Sequence, residues 1–438
     1  MKTLILDIKK MGINGEGIGH LLKKPVFVDK ALLFERVKVN NIREFPNFFR
    51  ADLEQVITSS EHRLKPVCDI AQECGACSLM HADLKLQQDI KIENIKQSLF
   101  KYAKIKNPVI SFHPNPNPLK YRNQCKFILG IDNGKIASGM FKKDSNQWLG
   151  IDYCIIHNPI LEQVRREVTE LLNKHHVTIA FKANESGYRY LVIRVLENKA
   201  QVTLISTESI HDESLLTNIS KIKHVESVYT SVNNQKTREF FGDKVNHGKG
   251  NEYLNVVLDT LSLQLSPQSF MQLNSEVSSN MMKLVLSKIK PTDAIVEAYC
   301  GVGMMSLLAS KKAKVGFAFD LNKQAIVDGR KHAQLNNITN IHFKAMDADV
   351  GILEANKRFK KYTLIVDPPR SGLSDKFISS CMKANINQLI YVSCNPSTLA
   401  KNLRTLLNKF TIKSIDAFDM FSHTQHVECV VLMSRVED

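Results

Sequence analysis

Ala294-Ile295-Val296-Glu297-Ala298-Tyr299-Cys300-Gly301-Val302-Gly303 is the stretch that decides how the C-terminal part of this chain is read. A short apolar run that meets two closely spaced glycines, with helix-forming residues beyond, predicts a strand turning sharply into a helix. The glycines allow the backbone to approach a ligand at the strand's C-terminal end. Outward from this point, apolar strand-like runs recur at 315–319, 341–344, 364–366 and 389–392, with helix-length segments between most of them. That alternation predicts a parallel, doubly wound sheet. The end departs from it, because 411–418 and 426–433 read as two strands joined by a short loop.

The glycine turn gains weight from Asp320, which ends the next strand about 20 residues on and is placed to accept hydrogen bonds from ribose hydroxyls. NAD and S-adenosylmethionine can both use such a pair. The terminal hairpin and the single G-x-G spacing favour S-adenosylmethionine, and five βα units plus a hairpin look like the seven-stranded methyltransferase fold. Asp347, at the end of the third strand, is a candidate adenine-side contact. In Asp367-Pro368-Pro369-Arg370, proline biases the acid away from helical backbone, so its carboxylate projects from a strand tip into the cleft. A similar Asp/Asn-Pro-Pro-aromatic signature belongs to amino-group methyltransferases, but Arg370 stands at the aromatic position.

Tyr391-Val392-Ser393-Cys394-Asn395-Pro396 places a thiol at the tip of the fifth strand. A lone cysteine there is more often core filler than nucleophile. In a sheet of this kind, however, the last strand runs antiparallel beside the fifth. Its start, His426-Val427-Glu428, then meets the end that bears Cys394. A thiol beside a carboxylate suits C5 methylation of a pyrimidine, because C5 is a poor nucleophile until something adds to C6.

Residues 1–60 read as short strands (4–8, 26–28, 37–39 and 53–57) with turns between them, an OB-like barrel by length and pattern. Residues 61–80 place Cys68, Cys74 and Cys77 within ten positions. Metal ligation is the reading for C-x5-C-x2-C, with His81, Cys125 and Cys154 as candidates for a fourth ligand. The x5 gap leans towards iron–sulfur, with zinc the runner-up. A helix follows, with Ile92, Ile95 and Leu99 as its apolar series and lysines 85, 91, 96, 101, 104 and 106 as its basic surface. Pro114-Asn115-Pro116-Asn117-Pro118 marks a loop, and 120–265 is β-rich with helical inserts.

The 438 residues carry 59 Lys plus Arg against 44 Asp plus Glu, a net charge of +15 that favours a polyanionic partner such as nucleic acid. No apolar run is long enough for a membrane span. Met1-Lys2-Thr3-Leu4-Ile5-Leu6-Asp7 turns acidic too soon for a secretory signal. The chain is therefore expected in the cytoplasm, where disulfides among its nine cysteines are not expected.

Taken together, these residues resemble the RNA uracil-5-methyltransferases, and within them the 23S ribosomal RNA branch. The resemblance spans nearly the whole chain. It implies a TRAM domain over 1–60, a central iron–sulfur and RNA-binding region over 61–265, and an S-adenosylmethionine-dependent methyltransferase domain over 266–438. Part of 84–120 is a candidate to pack on the last of these. It implies a 4Fe-4S cluster held by Cys68, Cys74, Cys77 and Cys154. Tyr121-Arg122-Asn123 resembles a central-domain signature. Gln272, within Ser266-Pro267-Gln268-Ser269-Phe270-Met271-Gln272-Leu273-Asn274, falls with Tyr299, Asp320 and Asp367 on cofactor positions, and the glycine turn adds Gly301. Ser393-Cys394-Asn395-Pro396 matches the nucleophile motif, and His423-Thr424-Gln425-His426-Val427-Glu428 the base motif. Glu297, Met304 and Ser422 depart from the family pattern. The expected substrate is 23S ribosomal RNA, with no membrane and no obligate protein partner. An amino-group methyltransferase and a non-enzymatic RNA-binding iron–sulfur protein are the alternatives.

Overall fold

The structure, a computed structural model, describes residues 3–235 and 240–436, so Met1 and Lys2 of the opening segment lie outside it. Among the described residues the strands form four sheets.

The first sheet has six strands. Leu4–Asp7 and Lys10–Met11 stand at opposite ends of its strand order, yet they are successive pieces of one segment. Ile8 and Lys9 link them, donating to Glu35 O at 2.8 Å and Ile18 O at 3.0 Å. The sheet therefore curls around a core that includes Leu6, Val26, Val28, Val37 and Val39. The alternation of Val37 and Val39 with Lys38 turns one face of the strand inward.

The second sheet has seven strands between Gln124 and Gly250. Tyr188–Leu196 pairs antiparallel with Lys199–Ser206, in the register Arg194 to Gln201. Helices Pro159–Lys174 and Glu213–Ser220 pack on it. Leu254–Leu258 and Leu261–Leu265 form a hairpin whose apolar residues join the core under the last sheet.

That last sheet carries the glycine turn. Its spatial order is Ile341–Ala345, Ala313–Asp320, Thr292–Ala298, Tyr362–Val366, Ile386–Ser393, Glu428–Arg435, Phe410–Phe418, Ser111–His113. The first five are mutually parallel, and Glu428–Arg435 inserts antiparallel beside Ile386–Ser393. The expectation of seven strands falls one short. Ser111–His113, from the segment after the early helix, adds itself parallel to Phe410–Phe418 in the register Phe112 to Ala417. Tyr362–Val366 is buried along its whole length, as a parallel strand covered on both faces should be.

The early helix runs Leu84–Ser98, capped by Asp83, which accepts from Leu86 N at 2.7 Å. Ile95 and Leu99 enter the main core, whereas Ile92 is only half-buried. One lysine read as surface is not surface: Lys91 has no exposure and is paired with Asp419. The buried face is centred nearer Lys91, Ile95 and Leu99, so a side chain that looks solvated by type lies on the inner stripe. No helix among the described residues is long and apolar enough to cross a membrane.

Candidate active site

The sheet's C-terminal edge opens on a cleft of about 720 Å³. Gln272, Tyr299, Gly301, Asp320, Asp347 and Asp367 all line it, as do Cys394 and Glu428. The turn after Thr292–Ala298 is built for close approach. Tyr299, Gly301 and Gly303 take positive φ of 60°, 53° and 80°. A Cβ on Gly301 would meet nothing within 4 Å, whereas one on Gly303 would lie 2.3 Å from Phe343 Cε1. Gly301 therefore leaves room for a ligand, and Gly303 lets the turn pack on Phe343. Asp320 ties the turn to the next strand, accepting from Gly301 N at 3.0 Å and Asn322 N at 2.8 Å. Asp347 lies two residues past its strand, caps helix Ala348–Arg358 and accepts from Asp349 N at 2.9 Å. Beneath the turn Glu297 is buried, bonded by Ser306 N at 2.8 Å and by Ser306 Oγ, and desolvation raises its carboxyl to about 8. Burial likewise raises Asp367 to about 6.

Cys394 and Glu428 come together as the strand topology requires. Ser393 is the register partner of Cys429 in the antiparallel pair, so the residue after one faces the residue before the other at the cleft edge. Burial, followed by the nearby Glu428 charge, raises the Cys394 thiol above its usual range. Glu428 is buried, and desolvation with help from Asp367 pushes its carboxyl well up. Arg370 opposes both shifts, and it lines the same cleft and chamber as Cys394. Sequence reasoning treated Arg370 only as a missing aromatic. The available signal was that a cation one residue past a projecting Asp-Pro-Pro tip must share that tip's cleft.

The central region holds the loop that brings Gln272 to the cleft. Asn123 Nδ2 donates to Gln272 O at 3.0 Å and its N to Leu273 O at 2.9 Å. Arg194 is buried and donates to Ser266 O at 3.0 Å and to Ser269 O. On the far side of Cys394, a chamber of about 180 Å³ shares Cys394 and Arg370 with the cleft. The same chamber shares Asn14, Gln425 and His426 with a groove of about 880 Å³. Arg50, Lys126, Lys142 and Lys143 line that groove with Phe141 and Phe240, and so do Glu16, Asp29 and Asp144, with Lys143 paired to Asp29. Cations beside rings suit a nucleic-acid strand, whose phosphates and bases they can meet.

Cys68, Cys77 and Cys154 pack around Met80, Tyr121 and Ile156. Cys74 is electrostatically coupled to Cys68 and Cys154, and Cys77 to all three of the others. Burial raises Cys68, Cys74 and Cys77 above the usual thiol range. Among the described residues, no three His, Cys, Asp or Glu side chains converge as a ready-made metal site. Of the other fourth-ligand candidates, Cys125 is buried. His81 is buried with its Nε2 unpartnered. All nine cysteines are free.

A parallel sheet with a terminal antiparallel insertion, a glycine turn and a carboxylate at the next strand tip defines a methyltransferase of the S-adenosylmethionine-dependent class. The family described as tRNA (Uracil-5-)-methyltransferase matches residues 83–436, and the chain belongs to it. An uncharacterized RNA methyltransferase of Bacillus anthracis is 33% identical over 99% of this chain and 97% of its own. One of Listeria monocytogenes is 33% identical over 98% of this chain and 96% of its own. The crystal structure of Pyrococcus abyssi tRNA (uracil-54, C5)-methyltransferase in complex with S-adenosyl-L-homocysteine is 24% identical. It shares the fold with a TM-score of 0.79, covering 98% of this chain and 100% of that one. This protein is an RNA methyltransferase.

Proposed function

We propose that the protein methylates C5 of a uridine in 23S ribosomal RNA, with Cys394 as nucleophile and Glu428 as base. The observation that carries the reading is the meeting of Cys394, Glu428 and Arg370 at one edge of the cofactor cleft.

Cys394 must first lose its proton, and Arg370 favours the resulting thiolate. The thiolate adds to C6 of a uracil that has left its stack, and the displaced π electrons make C5 nucleophilic. S-adenosylmethionine, when bound, would supply the methyl group that C5 takes up and leave as S-adenosylhomocysteine. With its sulfur now a thioether, Cys394 no longer repels a charge on Glu428, which eases ionisation of that carboxyl. Glu428 then accepts the C5 proton, the C6–S bond breaks and the thiolate returns. Gln272, Tyr299, Gly301, Asp320, Asp347 and Asp367 are the residues assigned to the cofactor.

The chamber joins this site to the larger groove, whose Arg50 and Lys126 with Phe141 and Phe240 would meet the RNA strand flanking the target. In this reading 1–60 is the TRAM domain, 61–265 the central RNA-binding region and 266–438 the catalytic domain. Cys68, Cys74, Cys77 and Cys154, four thiols in one half-buried neighbourhood, are the donor set for a 4Fe-4S cluster. The reaction takes place in the cytoplasm. The N-terminal unit and the cysteine set support the 23S substrate through their resemblance to that branch.

The test is methylation of 23S ribosomal RNA fragments and of transfer RNA transcripts, followed by nucleoside analysis. The reading expects 5-methyluridine in the 23S fragments and none with Cys394→Ala. Methyl on an exocyclic nitrogen, with Cys394→Ala still active, would select the amino-group reading instead. Anaerobically purified protein should hold iron and sulfide, lost in Cys154→Ser. A colourless zinc protein would refute the cluster.

A further inference from the structure

The loop between Phe410–Phe418 and Glu428–Arg435 leads into Glu428, the first residue of its strand and the register partner of Phe418, and it is held from helix Leu84–Ser98, 328 residues away at the Lys91–Asp419 pair. Lys91 has no exposure. Its ammonium pairs with Asp419 and donates to Phe421 O at 3.1 Å. The other Asp419 oxygen accepts from Ser422 Oγ at 2.7 Å. Gln87, about one helical turn earlier, accepts from His423 N at 2.8 Å and lies 3.3 Å from His423 Nδ1. The Gln87 amide also donates to Ala82 O at 2.8 Å. Leu79 N donates to His423 O at 2.8 Å, so the chain just past Cys77 braces the same loop. Of the residues held this way, Phe421 lines the cofactor cleft, and Gln425 and His426 a few positions on line the chamber beside Cys394.

A fully buried ammonium is an expensive way to hold a loop. Two well-packed apolar side chains commonly match or exceed a buried ion pair in stability, so stability alone does not account for a charge here. A directional pair fixes one loop geometry where an apolar contact tolerates several. Desolvation lowers the Lys91 pKa and Asp419 raises it, so each charge depends on the other. The matched family region begins at residue 83, and so includes this helix.

We propose that Lys91, with Gln87, is a positioning residue of the active site, fixing through Asp419 and His423 the loop that aims Glu428 at the C5 proton. The inference rests on Glu428 being the base. Lys91→Met would leave Cys394 and the residues assigned to the cofactor in place, shift Phe421 at the cleft's rim, and misplace the carboxylate. Addition and methyl transfer then proceed while proton removal stalls. On ordinary uridine RNA with S-adenosylmethionine, a methylated covalent protein–RNA adduct should accumulate.

The experiment compares Lys91→Met, Asp419→Asn, Gln87→Met and Glu428→Gln. Turnover, S-adenosylmethionine affinity and gel-stable adduct are measured on uridine RNA. Lys91→Met should lose about 100-fold in turnover, within the range for a displaced general base. Its cofactor affinity should stay within about threefold by that same division of roles, and adduct should appear as it does in Glu428→Gln. Turnover within about twofold of the parent overturns the proposal. So does a joint loss of turnover, cofactor affinity and adduct, which marks a merely structural role. If Lys91→Met fails to fold, Gln87→Met keeps the charge pair and is read by the same criteria. If Glu428→Gln itself accumulates no adduct, the assignment of the base fails, and the clamp with it.

Discussion

Replacing Glu297 by Gln should stabilise the protein at alkaline pH and leave it nearly unchanged at pH 5. Glu297 is 1% exposed, and its carboxyl rises from 4.5 to about 8 because desolvation outweighs the hydrogen bonds from Ser306. The native state therefore keeps a proton that the unfolded chain releases. Below the unfolded value both states are protonated and the group's contribution is fully present. As pH rises towards the folded value that contribution is lost, because the native state binds more protons. At about 1.4 kcal/mol per unit, the loss is at most about 5 kcal/mol. Gln cannot ionise and can still accept from Ser306 N. Urea unfolding of parent and variant at pH 5, 7 and 8.5 reads the effect directly. The variant's advantage should grow with pH and exceed about 2 kcal/mol at pH 8.5. An advantage that stays flat from pH 5 to 8.5 would refute the reasoning.

Gly303→Ala should cost about 2 kcal/mol or more, from its positive φ and the 2.3 Å approach of a Cβ to Phe343. Thermal denaturation measures it, and a Phe343→Ala background should recover the steric part. Arg370→Met should move the pH dependence of covalent adduct formation to higher pH, since the cation favours the Cys394 thiolate. A rate–pH profile checks the direction. Asp320→Asn should weaken S-adenosylmethionine by about tenfold, seen by titration calorimetry, with RNA affinity unchanged.

The catalytic sheet was legible because its signals are local and periodic. Apolar runs alternated with helix-length segments, and the terminal hairpin read correctly as an antiparallel pair. Strand direction alone then brought Cys394 to Glu428. Ser111–His113 was not legible, since three residues after a helix carry no period and gain strand geometry only by docking on Phe410–Phe418. Lys91 misled for a related reason. Residue type says solvated, and only the tertiary position of Asp419 makes burial tolerable. Arg370 was read against a motif and not against its surroundings, so its place in the cleft beside Cys394 went unseen. Asp347 reads as a strand-end acid but is a helix cap that also lines the cleft, two roles one sequence position can hold.

The most direct test of the central claim uses RNA in which uridine is replaced by 5-fluorouridine. Fluorine at C5 cannot leave as a proton, so the reaction should stop after methyl uptake with Cys394 still bonded to C6. With S-adenosylmethionine present, a covalent protein–RNA complex should accumulate, and peptide mapping should place the bond at Cys394. Absence of any complex, together with turnover retained in Cys394→Ala, would contradict the account.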